Sequence, residues 1–314
     1  MKLVVFNQDR LGVVKQSGGV DGVVDVSDLV TAIAQAGPGH MMNTLIADWD
    51  QYRAAIEQAA NSRAALPLVQ VSIEAPLSRP ASIDCMAVNY MEDGTRSEPA
   101  PINAFHKASS CIIGPGGTMV LPDIPATVFE GEAELALVIG KRASHVPAAR
   151  AMEHVFGYLN FIDGSARGVV PPNNVFYQMK SRATFAPLGP YLVTADEVAD
   201  PQNLQVKLWV NGELKQHYNT SDMAHKISRC IEWVSSIHDL EPGDILALGT
   251  NHRGLSGFQD GDRIELECEG MGRLSITVRD ELKRTWARET RLEREQKGLE
   301  GLTPQLSGKY AKSA

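Results

Sequence analysis

Cysteine is scarce in this chain: four in 314 residues, Cys85, Cys111, Cys230 and Cys268, with no Cys-x-x-Cys pair among them. That spacing weighs against a zinc ribbon or a thioredoxin-like site, and reduced thiols in a cytoplasm fit best. Long apolar runs are lacking too. The opening Met1-Lys-Leu-Val-Val-Phe-Asn-Gln-Asp9 has no apolar core of the signal-peptide kind, and no later segment approaches the length of a membrane-spanning helix. Positive charge is also short: 30 Lys and Arg against 38 Asp and Glu leave a net charge of -8. Phosphate binding wants clustered Lys and Arg on one face, so a nucleic-acid groove is disfavoured. The expectation is a cytoplasmic protein with neither nucleic-acid nor membrane partners. Small anionic substrates stay open, because a local metal or arginine overrules the global field.

What is present suggests one large body with appendages, since 314 residues exceed the usual size of a single domain. The expected division is a small N-terminal domain and linker at 1–78, a main body at 79–280, and a charged helical tail at 281–314. Residues 3–5 and 11–14 read as a hairpin, and 27–36 and 43–60 as helices, with Gly37 stopping the first. Residues 69–84 carry Pro76 and Pro80 and read as a connection. From residue 83 onward strands dominate. Asn211-Gly212 predicts a type I′ hairpin, and 263–269 and 273–278 alternate as strands buried on one face. Between them, Met223, Ile227, Cys230, Ile231 and Val234 recur at helical spacing over 221–237, behind a capping Ser or Asp. The fold class is therefore α+β and β-rich, one helix packing on a large antiparallel system. The tail interleaves Lys and Arg with Glu, which predicts a solvated surface helix and a loose end; a subunit-contact arm is the alternative.

The run Phe129-Glu-Gly-Glu132-Ala-Glu134-Leu-Ala-Leu-Val-Ile-Gly140 opens an apolar strand with three acids. Glu132, Glu134, Ala136 and Val138 share one face; Ala133, Leu135, Leu137 and Ile139 share the other, and both faces look buried. Two carboxylates roughly 7 Å apart on a buried face need compensation, and a divalent metal is the economical answer. Taken alone, such a pair is more often a solvated strand edge than a set of ligands. A second apolar run, Val155-Phe-Gly-Tyr-Leu-Asn-Phe-Ile162, ends in Asp163 and is followed by Arg167, offering a third oxygen ligand beside an anion-binding group.

Glu132-Ala-Glu134-Leu-Ala-Leu-Val-Ile-Gly, followed by Gly157-Tyr-x4-Asp163-x-Ser-Ala-Arg167, resembles the fumarylacetoacetate hydrolase family. Lys180 with Phe185-Ala-Pro-Leu-Gly-Pro190, Asn211-Gly-Glu, Leu240-Glu-Pro-Gly-Asp244-Ile, Gly249-Thr250 and Gly261-Asp262 continue the likeness in order over 83–278. The resemblance implies that family's mixed β-sandwich roll with a small N-terminal α/β domain. It implies Mg²⁺, Mn²⁺ or Ca²⁺ held by Glu132, Glu134 and Asp163. Three oxygen ligands without His or Cys are also what such a hard cation asks for. It implies a hydrolase cleaving a carbon–carbon bond in a β-diketo acid or acylpyruvate-type 2-oxo acid, of the kind met in aromatic catabolism, and a homodimer. Lys180 matches a lysine beside the metal-bound enolate. Arg167, Thr250 and Tyr90 fall at substrate-binding positions.

The likeness breaks before the acidic strand. Members carry Asn-Tyr-x-x-His-x-x-Glu, whose His and Glu activate the attacking water; here Asn89-Tyr90-Met-Glu92-Asp93-Gly-Thr-Arg96 places Asp93 at the His position and Arg96 at the Glu position. Val170 replaces a glutamine. Hydrolysis needs a base, and Asp93, His106 and His252 are the candidates, His252 foremost because it adjoins Gly249-Thr250. The other readings are a decarboxylase, isomerase or lyase on a 2-oxo acid, a catalytically silent metal- and ligand-binding homologue, or an interaction protein using the charged tail.

Overall fold

The computed structural model describes the whole chain except residues 18–19, 35–36, 38, 172–175 and 312–314. Among the described residues, twelve strands join one large sheet and five a second. From Lys2–Phe6 to one edge the large sheet runs Lys2–Phe6, Ala186–Thr194, Val155–Arg167, Val128–Ile139, Ile245–Ala247, Ile83–Met86 and Ala104–His106. The smaller sheet runs Glu213–Asn219, Gln205–Val210, Arg263–Cys268, Leu274–Arg279 and Thr118–Val120.

Strand periodicity explains how these layers stack. All twelve residues of Val128–Ile139 are buried. Leu135, Leu137 and Ile139 join the core shared with Leu208, Leu266 and Ile276 of the smaller sheet. Ala136 and Val138 point the other way, into a core with Leu45, Ile46 and Ile56 from helices Met41–Ala47 and Trp49–Ser62. The large sheet thus lies between a second sheet and a helical layer, the strand-rich α+β arrangement expected. Each buried Leu contributes about 1.5–3 kcal/mol relative to exposure, and these cores offset the cost of burying acids at the strand's start.

The hairpin forms at the predicted place, with φ of 53° at Asn211 and 82° at Gly212. Strands Arg263–Cys268 and Leu274–Arg279 bury alternate residues, as their patterns require. Strand Lys2–Phe6 pairs with Ala186–Thr194, so the leading segment is hydrogen-bonded into the main sheet.

Elsewhere the elements differ from expectation. The helix read over 221–237 is confined to Ile227–Ser235. The Asn89 side chain accepts from the His225 N–H (2.9 Å) and donates to the His225 carbonyl (3.1 Å), occupying both groups that a longer helix would use. The helix read over 43–60 breaks at Asp48. The one read over 27–36 is a 3-10 turn, Ser27–Val30, then Thr31–Ala34; its last two positions lie outside the described residues. Among its described residues the tail is more than one surface helix. Its helix, Arg291–Gln296, is six residues long and opens with a capping box of Thr290 and Glu293, while Thr285–Trp286 pairs with Gln305–Ser307. Arg284 is buried, donating to Asp280 at 2.9 and 3.0 Å and to the carbonyls of Pro122 and Ile124. Periodicity shows none of these tertiary partners. No helix among the described residues is long and apolar enough to cross a membrane, and all four cysteines are free and buried.

Candidate metal and substrate site

Antiparallel register sets Glu132 directly opposite Asp163, with Glu134 two residues further along the same face. One step before this pair, on the Glu130 side, Gly131 opposes Gly164. On the reverse face, a Cβ at Gly131 would stand 2.4 Å from the Phe258 ring, so only glycine lets that ring close beneath the acids. Carboxylate oxygens of Glu132, Glu134 and Asp163 lie within 4.8 Å of one another, and all three residues are buried.

Four cations answer this charge. Lys180, at the end of helix Phe176–Lys180, donates to Glu132 (2.9 Å), Ser165 Oγ (2.7 Å) and Asp163. Lys107 donates to Asp163 Oδ1 (2.6 Å) and the Gly164 carbonyl (3.1 Å). Arg167 bridges Glu130 (3.0 Å) and Glu132. Arg291, from the tail, grips Glu130 at 2.6 and 3.1 Å. Glu130, in phase with the pair, is therefore an arginine anchor.

Glu132 and Glu134 differ electrostatically. Burial alone would raise Glu132, but Lys180, Arg167 and His252 outweigh it and hold its carboxyl well below the usual range. Burial, then repulsion from Asp163 and Glu132, pushes Glu134 well above it. Glu134 Oε2 accepts only the Gly249 N–H (2.7 Å), presented by a residue at φ 86°, and Oε1 is buried with no partner. An orphaned buried oxygen beside two further carboxylates, with no nitrogen or sulfur in the set, fits a hard divalent cation.

A second pair stands beside this cluster. His252 Nδ1 lies 2.6 Å from Glu92 Oε1, and the His252 backbone N–H donates to Glu92 Oε2 at 2.8 Å. An ionised carboxylate only accepts, which assigns the ring proton to Nδ1 and leaves the lone pair on Nε2, 4.0 Å from Glu132 Oε1. Glu92 and Asp93 both hold φ of 56°, uncommon for residues with a side chain and a form of strain that clusters at working sites. A cavity of about 380 Å³ opens here, lined by Glu92, Arg96, His252, Arg253 and Arg291 among others. It borders the cluster through His252, and neither it nor a larger hollow of about 510 Å³ among the N-terminal hairpin and residues 74–79 is lined by Glu132, Glu134 or Asp163 themselves.

The structure thus gathers Glu132, Glu134, Asp163, Arg167, Lys180 and His252. Thr250 is buried behind them: its hydroxyl donates to Gln216 Oε1 (3.1 Å), and Gln216 bonds the backbone of Gly131 and Ala133, so Thr250 braces the acidic strand. Tyr90 is fully buried, edge-on to Tyr218 at 4.9 Å. Asp93 is 57% exposed, its carboxylate 4.0 Å from Arg253. His106 is 67% exposed and faces Asp84 instead. Sequence reasoning missed Lys107 and Glu92. Four buried acids demand about as many cations, a signal for Lys107, and Glu92 was the other carboxylate in the very motif that lacks its histidine.

Comparison with known proteins now bears on this geometry. Residues 82–279 match the family described as fumarylacetoacetate (FAA) hydrolase C-terminal. The chain is 36% identical over 291 residues to the mitochondrial oxaloacetate tautomerase Fahd2a of Rattus norvegicus, covering 87% of this chain and 90% of that protein. It is 33% identical over 297 residues to the maleylpyruvate hydrolase of Aquipseudomonas alcaligenes, covering 89% and 99%. The crystal structure of maleylpyruvate hydrolase from Sphingobium sp. SYK-6 in complex with manganese(II) ion and pyruvate matches with a TM-score of 0.79 at 37% identity, over 89% of this chain and 99% of that one. With a family match across most of its length and relatives alike over nearly all of it, the chain belongs to the fumarylacetoacetate hydrolase family.

Proposed function

We propose that this protein is a divalent-metal-dependent hydrolase that cleaves a carbon–carbon bond in an acylpyruvate-type 2-oxo acid or β-diketo acid, with Glu132, Glu134 and Asp163 as ligands of Mg²⁺ or Mn²⁺. The observation that carries this reading is the Glu92–His252 pair, whose Nε2 stands 4.0 Å from Glu132 Oε1. The base expected from the family's usual motif is absent from that motif, and this pair supplies one from other positions. Glu92 orients the ring and stabilises the imidazolium formed when Nε2 takes a proton from water. The same proton can then pass to the carbon of the departing fragment. A divalent ion bound to the three carboxylates supplies Lewis-acid stabilisation of enolate charge.

Charge balance supports an anionic substrate. Glu130, Glu132, Glu134 and Asp163 face Lys107, Lys180, Arg167 and Arg291, so a dication leaves two positive charges for a carboxylate and a developing enolate to meet. Arg96, Arg253 and Arg291 line the cavity and suit a distal carboxylate. Lys180 reaches the cluster and is placed to donate to the enolate oxygen. The pyruvate named in the Sphingobium structure is the product an acylpyruvate would release on hydrolysis.

A second reading is tautomerisation, favoured by the rat relative's name. Incubating an acylpyruvate and oxaloacetate with Mn²⁺ in D₂¹⁸O separates the two. Hydrolysis places ¹⁸O in the released acid. Proton exchange beside the carbonyl with no cleavage of either compound would replace the hydrolase reading by the tautomerase one.

We further place the protein in the cytoplasm as a homodimer. Four buried free thiols support a reducing compartment, and light scattering of the purified protein tests the assembly.

A further inference from the structure

Away from the acidic site, three polar side chains from distant segments meet at the edge of the large sheet. Asp84 lies on strand Ile83–Met86, His106 directly opposite it on Ala104–His106, and His238 beyond helix Ile227–Ser235. His106 Nδ1 is 3.1 Å and His238 Nε2 3.2 Å from the same oxygen, Asp84 Oδ1. Ligand atoms around a tetrahedral ion with bonds of about 2.0–2.1 Å stand about 3.3 Å apart, so these separations fit a shared ion.

The tautomer of His238 points the same way. Its Nδ1 lies 2.9 Å from the Asp239 carbonyl, which can only accept, so Nδ1 carries the ring proton. In the neutral ring Nε2 then turns a lone pair toward a carboxylate oxygen that also has only lone pairs. Two acceptors 3.2 Å apart are held together by a proton or by a cation between them. The Nδ1–H to carbonyl bond is also how metal-binding histidines are commonly oriented. Asp84 is prepared likewise: its side chain is 4% exposed, and Oδ2 takes the Ser82 hydroxyl at 2.7 Å, leaving Oδ1 to face the imidazoles. Neighbouring Asp244 is already satisfied by the backbone N–H groups of Ser82 and Glu241, each at 2.8 Å.

We propose that Asp84, His106 and His238 form a second metal site, for a late first-row divalent ion such as Zn²⁺. His106 faces solvent and leaves a fourth position for water. Two imidazoles and one carboxylate prefer Zn²⁺ or Co²⁺, whereas three carboxylates suit Mg²⁺, Mn²⁺ or Ca²⁺, so the two sites would sort metals by chemistry. The new site also touches the old one mechanically. His106 precedes Lys107, whose ammonium holds Asp163, so an ion on Asp84 pins the end of the segment that carries Lys107.

The test is a Co²⁺ titration of the full-length protein in saturating Mg²⁺, read by the visible absorption of four-coordinate Co²⁺. One equivalent should develop the band in the unsubstituted protein and in Glu134→Gln. His238→Gln and His106→Gln should each abolish it and weaken Zn²⁺ competition by more than the 10–100-fold, roughly, that loss of an outer-shell partner costs. His106 is exposed enough for its variant to keep the fold, which circular dichroism checks, so it decides the matter if His238→Gln unfolds. No band in the unsubstituted protein, a band that survives His106→Gln, or one lost only in Glu134→Gln would each overturn the proposal.

Discussion

Glu92 and His252 stand 160 positions apart in sequence and meet twice in space, ring to carboxylate at 2.6 Å and backbone N–H to carboxylate at 2.8 Å. The double contact fixes both the imidazole and the loop that carries it. One oxygen of Glu92 sets the ring proton on Nδ1; the other anchors the turn His252–Gly254. Nε2 is thereby turned toward the carboxylate cluster, 4.0 Å from Glu132 Oε1.

His252→Ala should lower kcat by about 10²–10⁴-fold with the fold intact, the usual worth of a positioned base. Glu92→Gln should fall short of that loss, since the ring remains but its orientation and the stabilisation of its charged form are weakened. Asp93→Ala should change little, because its carboxylate is mostly exposed. Steady-state kinetics on a good 2-oxo acid substrate, with circular dichroism as control, reads all three.

Lys107 and Asp163 form an ion pair with both side chains at 0% exposure. Lys107→Met removes one partner and leaves a buried carboxylate short of a cation. Breaking such a pair costs about 3–5 kcal/mol, which urea unfolding of the metal-free protein should register.

The pH dependence of stability carries two opposite signs. Glu134 is raised in the folded, metal-free protein, so between its ordinary value of 4.5 and the raised one the folded state holds a proton that the unfolded chain has released. Its effect is to lower stability as pH rises through that window. Glu132 is held down, so its stabilisation is present above 4.5 and is lost as pH falls through the lowered value. Glu134→Gln should flatten the decline at rising pH and lose the metal-induced gain in unfolding temperature. Metal binding to the unsubstituted protein should release a proton and tighten as pH rises. Thermal unfolding with and without Mg²⁺ across about pH 5–8 checks Glu134, and an acid series below the ordinary 4.5 checks Glu132.

Arg291 ties the tail to the acidic strand through Glu130, which Arg167 shares. Arg291→Ala removes two charge-assisted bonds from a buried carboxylate and should cost about 1.5–3 kcal/mol by urea unfolding. Because Arg291 also lines the cavity, KM should rise more than kcat falls.

Much of the acidic site was legible because period-two alternation and register are local rules: once Val128–Ile139 and Val155–Arg167 pair, Glu132, Glu134 and Asp163 must converge. The hairpin at Asn211-Gly212 was legible for the same reason, since its positive φ angles belong to those two residues. Lys107 and Glu92 were not, because each acts across the fold on a partner that no spacing identifies. Position within the motif pointed to Asp93, whereas its neighbour Glu92 stands beside a histidine that arrives from another loop. The tail was read as a plain surface helix because interleaved charge looks solvated in sequence, while Arg291 is held by buried Glu130, 161 positions away, and Arg284 is buried against the carbonyls of Pro122 and Ile124.

The most direct measurement is calorimetric titration of Mn²⁺ into the unsubstituted protein, Glu134→Gln and Asp163→Asn, each paired with turnover of an acylpyruvate at the same free Mn²⁺. The account predicts one Mn²⁺ per chain and metal-dependent release of two acids, with both lost together in either variant. Turnover that persists in the variants, or in the unsubstituted protein after chelation, would contradict it.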